Sequence, residues 1–169
     1  MKIVPFVFLG VGLLLAGCGG SGGQAPFAPN LTTSFALTSQ STVLQTYGAG
    51  TKVSGWNRLT GPATITWTGV TPTASVELLG NVAYTSGSGP FFGVMNITTQ
   101  DGDLLALKVD GTATLAPGTT TTRFVGDIKI LGGNLGFANS TGVGTMTGTR
   151  DSALGGAVNM TLQLQVKKP

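Results

Sequence analysis

Histidine is absent from the 169 residues, cysteine occurs once, and only 9% of side chains are charged. Each shortage closes a route to chemistry. A lone cysteine allows no disulfide within the chain. Without histidine and spare thiols, a metal site would have to be built from carboxylates alone. The base of a nucleophilic triad has no visible candidate, and six acidic residues scattered along the chain nominate no pair for glycosidase chemistry. Disorder goes with few apolar residues and high net charge, whereas 41% of residues here are hydrophobic, so the chain has the material for a core. The formal charge of +3 also overstates the basic character, because Lys2 stands at the very start of the chain and Lys167 and Lys168 at the very end. No Lys/Arg cluster interleaves with aromatics, which speaks against nucleic acid as a partner.

What the chain has in plenty is glycine, threonine and β-branched residues. Its start is organised differently. Lys2 gives a positive beginning, the run from Ile3 to Ala16 is apolar but for Pro5, Gly10 and Gly12, and small residues lead into Cys18. A basic start, an apolar stretch and a small-residue cleavage site describe an export signal. The run is shorter than the ~20 apolar residues of a membrane span and passes straight into Gly19-Gly20-Ser21-Gly22-Gly23 with no basic flank. Leu15-Ala16-Gly17-Cys18 resembles a bacterial lipoprotein signal. That resemblance implies lipidation of Cys18 after removal of residues 1–17, a cell-envelope location, and, with Gly19 rather than aspartate following, the outer membrane. Residues 18–30 then read as the lipidated cysteine and a flexible tether. A Gly/Ser-type tether of about 12 residues typically reaches about 20 Å.

From Leu31 to Pro169 no helical period holds for any useful length, whereas short alternating runs recur between Gly, Pro, Asn and Asp punctuation. Residues 32–46 hold one or two weak strands, and 52–60 another. Ala63, Ile65 and Trp67 alternate with Thr64, Thr66 and Thr68. Val76, Leu78, Gly80, Val82 and Tyr84 share a face, and Phe91 to Gln100 leads to a hairpin at Asp101-Gly102. Leu105, Leu107, Val109, Gly111, Ala113 and Leu115 share the next face, followed by Phe124, Gly126, Ile128 and Ile130. After a glycine-rich segment come strands at 143–149 and at 158–166, where Val158, Met160, Leu162, Leu164 and Val166 face inward. The expectation is an all-β domain, a single antiparallel barrel of about eight strands whose interior glycines supply curvature.

The segment Phe124 to Gly148 is the most distinctive. A strand enters Gly132-Gly133, a compact turn tucks Leu135 and Phe137 inward, and a strand spaced by Gly142, Gly144 and Gly148 follows. It resembles the Gly-Gly-Thr-Gly-x-Phe pattern of the allene oxide cyclase-like and dirigent-like barrels, with Asn134-Leu135 where Thr-Gly is usual. The resemblance implies a barrel, homo-oligomers, and in some members an enzyme acting on a small apolar molecule. Such chemistry needs an inward acid or base, for which Glu77 and Arg58 are the candidates. Trp56, Trp67, Tyr84 and Phe91, with Phe92, could line a lumen holding a small apolar ligand; aromatics of this kind more often form core. Asp101 and Asp103 flank Gly102 but lack the further ligands of a calcium loop. The reading of function is therefore a non-catalytic binding or interaction module on a lipid anchor, with no cofactor and no metal, and a cyclase-like enzyme or carrier as the alternative.

Overall fold

Alternation of apolar and polar side chains over successive runs can be satisfied by rolling one sheet until its first and last strands meet, which buries one face of every strand. The computed structural model describes residues 28–151 and 155–169 and shows that solution. The signal, Cys18 and most of the tether lie outside the described residues. Eight antiparallel strands follow one another around a closed barrel: β1 (Leu31–Tyr47), β2 (Lys52–Trp67), β3 (Thr73–Thr85), β4 (Gly89–Thr99), β5 (Leu104–Leu115), β6 (Thr122–Gly133), β7 (Thr141–Arg150) and β8 (Val158–Lys167). A 3-10 turn at Leu135–Phe137 joins β6 to β7.

The strong alternations fold as read. Val76 and Leu78, Leu105 to Val109, Phe124 to Ile130 and Val158 to Val166 all point into the core. Leu31, Leu37, Ile65, Met95, Ile97, Leu105, Leu107, Met146, Leu162 and Leu164 are completely buried, and together they fill the middle of the barrel. Each such side chain contributes roughly 1.5–3 kcal/mol through the hydrophobic effect, so this packed column dominates the energetics of the domain.

Two sequence boundaries dissolve. The weak strands of 32–46 are one strand, and 52–60 with 63–69 are another, continuous through Gly61-Pro62. Pro62 donates no hydrogen bond, and the β1–β2 register passes over it: Phe35 pairs with Ala63 and Thr38 with Thr60, with no pairs between. A side chain at Gly61 would run into the Ala36 carbonyl, so glycine is what lets the two strands close up there. Further along β1, a bulge between Ser39 and Ser41 leaves Gln40 as an extra residue and reverses which side chains face inward.

The chain enters and leaves at the same end of the barrel. Asn30 donates through Nδ2 to the Val166 carbonyl at 2.8 Å and accepts from the Val166 N–H through Oδ1 at 2.8 Å, locking the start of β1 to the end of β8. Trp67 stacks on Phe137 at this end, ring centroids 4.5 Å apart, with the Lys168 ammonium 4.3 Å from the indole centroid. Phe137 is buried as expected, but Leu135 is 66% exposed rather than tucked inward. Its φ of +43° turns the side chain out of the turn.

Candidate functional site

At the end of the barrel opposite Asn30 and Val166 the core stops short of the rim. β2, β3, β4, β6, β7 and the start of β8 bring Asn57, Asn81, Tyr84, Phe91, Phe124 and Arg150 around a cavity of about 60 Å³, with Leu44 from β1 and Gly155-Gly156 at its margin. The wall is mostly apolar. Phe91 meets Phe124 edge to face at 5.7 Å, and the Arg150 guanidinium lies 5.6 Å above the Phe124 ring. Arg150 also donates through Nη2 to the Thr122 hydroxyl at 3.2 Å. Asn57 is oriented by Ser39, whose hydroxyl donates to the Asn57 Oδ1 at 2.7 Å.

Burial governs the electrostatics of this pocket. Tyr84 is 4% exposed, and loss of solvent pushes its phenol up to about 12, while the positive Arg150 nearby pulls it partly back. Burial likewise lowers the Arg150 guanidinium from its ordinary value, opposed by its interaction with Tyr84. At neutral pH the site therefore holds a neutral phenol that can donate a hydrogen bond, beside a guanidinium held over an aromatic ring.

The four aromatics expected in a lumen separate. Tyr84 and Phe91 line the pocket. Trp67 is at the other end, half-buried, and serves as a plug against Phe137. Trp56 faces outward and is 38% exposed, because Ala63, Ile65 and Trp67 place the odd residues of β2 inward and the even ones out. Phe92 is outward for the same reason, one residue out of phase with Phe91. The two candidate catalytic groups lie on the outer wall, where the Arg58 Nε and Glu77 Oε1 form an ion pair with side chains 48% and 35% exposed. They border a broad, shallow depression lined with threonine and serine hydroxyls. Among the described residues no group of three His, Cys, Asp or Glu side chains is placed to hold a metal ion.

Arg150 was missed in the sequence although its signal was there. Gly144 and Met146 fix the even residues of β7 inward, and the same phase carries through Gly148 to Arg150. The class of molecule is thus a closed eight-stranded antiparallel β-barrel with one plugged and one open end. Comparison with known proteins finds no family model, no curated protein and no solved structure that matches the chain.

Proposed function

We propose that this chain is a lipid-anchored, non-catalytic binding module of the bacterial cell envelope, held at the outer membrane through Cys18. The anchor rests on the sequence Leu15-Ala16-Gly17-Cys18 with Gly19 following. The observation that carries the non-catalytic part is the placement of charge. Among the described residues Arg150 is the one buried charged side chain, and it is a guanidinium, which neither accepts nor gives up protons near neutral pH. Acid–base turnover inside the barrel would need a group that titrates near neutral pH; the Tyr84 phenol, pushed up to about 12, keeps its proton there, and Glu77 and Arg58 pair with one another on the outside. Labelling of cells with an alkyne-bearing fatty acid tests the anchor. Wild-type protein takes the label and partitions into detergent, and Cys18→Ala does neither; an unlabelled wild type ends the proposal.

The pocket favours a second reading, a small-molecule site at the open end. Its size sets the ligand class. About 60 Å³ is far below the roughly 300–1,000 Å³ of sites for drug-sized ligands. It suits a mostly apolar molecule of few heavy atoms with one hydrogen-bonding group for Tyr84 or an asparagine, not a long-chain lipid. Ethanol, which has that size and one hydroxyl, is a suitable probe. Chemical-shift changes confined to the open end, weakened in Tyr84→Phe, support the reading; shifts that are absent at millimolar probe refute it.

A further inference from the structure

The seam that closes the barrel is short. β1 pairs with β2 from Leu31 to Tyr47, but with β8 only over Leu31–Leu37. Beyond Leu37, among the described residues, nothing pairs with the backbone of β1 on the side away from β2. From Gln40 to Tyr47 every residue except the half-buried Leu44 is exposed. In a strand paired on one side, every second residue points its N–H and C=O to the other side. This part of β1 therefore offers a row of backbone donors and acceptors at strand spacing.

Proteins usually blunt such edges with charges, proline, bulges or brevity. Thr38-Ser39-Gln40-Ser41-Thr42-Val43-Leu44-Gln45-Thr46-Tyr47 holds no proline, no glycine and no charge. The bulge at Gln40 lies at the start of the free run, and Ser41 to Tyr47 is regular in its pairing with β2. Outward-facing Val43 sits directly across from Trp56 on β2, and these side chains, 55% and 38% exposed, form an apolar shelf beside the edge.

We propose that the free edge Ser41–Tyr47 is a docking site for an extended, uncharged polypeptide segment of a partner protein, added as a further strand. A row of alternating donors and acceptors at this spacing is matched by another peptide backbone, and the Val43–Trp56 shelf receives alternate apolar side chains of the incoming strand. A second copy of this chain is the weaker occupant. Antiparallel self-pairing of this edge inverts one barrel against the other. Because the chain enters each barrel at Leu31, the two tethers would then leave in opposite directions, which two lipid anchors in one membrane oppose. This exclusion, unlike the edge itself, rests on the lipid-anchor reading.

The test uses full-length protein in detergent and a capped, uncharged synthetic peptide of alternating threonine and valine as the strand probe. Peptide at about ten times its dissociation constant should slow amide exchange about tenfold at alternate residues between Ser41 and Tyr47 and leave β4 to β6 unchanged. The same peptide N-methylated along its backbone should protect nothing. Gln45→Lys, an exposed outward position, should abolish protection with the melting temperature unchanged, and Val43→Lys gives an independent second variant. Unchanged exchange throughout 41–47 at millimolar peptide, or protection by the N-methylated peptide, overturns the site. A concentration-dependent dimer of the protein alone that Gln45→Lys dissolves overturns the choice of occupant. Failure of Cys18 labelling alongside edge protection would instead strike the anchor and leave the site standing.

Discussion

Tyr84 and Leu135 show opposite ways in which a single residue departs from its ordinary state. The Tyr84 phenol is buried, so the folded protein holds its proton up to about pH 12 against an ordinary value near 10. Between those two values the unfolded chain has released a proton that the folded chain keeps, so stability falls as pH rises through this window and is fully retained below it. Two units correspond to on the order of 3 kcal/mol. Denaturant midpoints measured from pH 9 to 12 should fall steeply in the wild type and markedly less in Tyr84→Phe; parallel curves would show that the phenol does not titrate late. Leu135 is strained rather than buried, with φ at +43° and its side chain in solvent. Leu135→Gly should stabilise by about 0.5–1 kcal/mol, relieving ~1–2 kcal/mol of left-handed strain less the freedom glycine adds to the unfolded chain. Leu135→Val should destabilise, and thermal melts of the two variants check the pair. Inward packing of Leu135, the expectation from sequence, fails for this same backbone reason: periodicity assigns faces only where the chain is extended.

Strands were legible where alternation was strong and obscure where it was weak. β8 reads Val, Met, Leu, Leu, Val on one face and Asn, Thr, Gln, Gln, Lys on the other, and folds accordingly. β1 beyond Leu37 is largely threonine, serine and glutamine, and the extra Gln40 reverses its phase, so neither its length nor its inward face could be seen. Trp56 was assigned by its chemistry when the phase of Ala63, Ile65 and Trp67 already placed it outside. Of the open pocket, Tyr84 and Phe91 were legible and Arg150, Asn57 and Asn81 were not, because a pocket gathers residues from strands far apart in sequence. Within β5, Gly111 faces Gly126 of β6 and lies under the Phe91 ring; a Cβ there would sit 2.5 Å from the ring edge and collide with the Val125 carbonyl. Gly111→Ala should therefore lower stability by about 1–3 kcal/mol, as overpacked cores do. It should also shift the Phe91 and Phe124 resonances, and a midpoint equal to wild type would mean that the ring moves aside freely.

The whole barrel has one core, running from the Trp67–Phe137 plug to the Tyr84–Phe91–Phe124 rim without a polar break. A continuous core predicts one cooperative transition. The two tryptophans are placed to test this, Trp67 in the plug and Trp56 on the outer wall towards the open end. Trp56→Phe and Trp67→Phe each leave a single reporter, and the fluorescence and far-ultraviolet circular dichroism midpoints of each variant should coincide. Separate midpoints for the two ends would divide the barrel into two units.

The lock between Asn30 and Val166 joins residues 136 positions apart. A chain that emerges with its N-terminus first must present β1 long before β8 exists to receive it. Leu31, Phe35 and Leu37 then wait with one flank open until the last strand arrives. The ring is completed only when the last strand arrives. A chain lacking residues 158–167 would be left as an unrolled sheet with two unpaired margins, and the final ten-residue strand is the clasp that closes it.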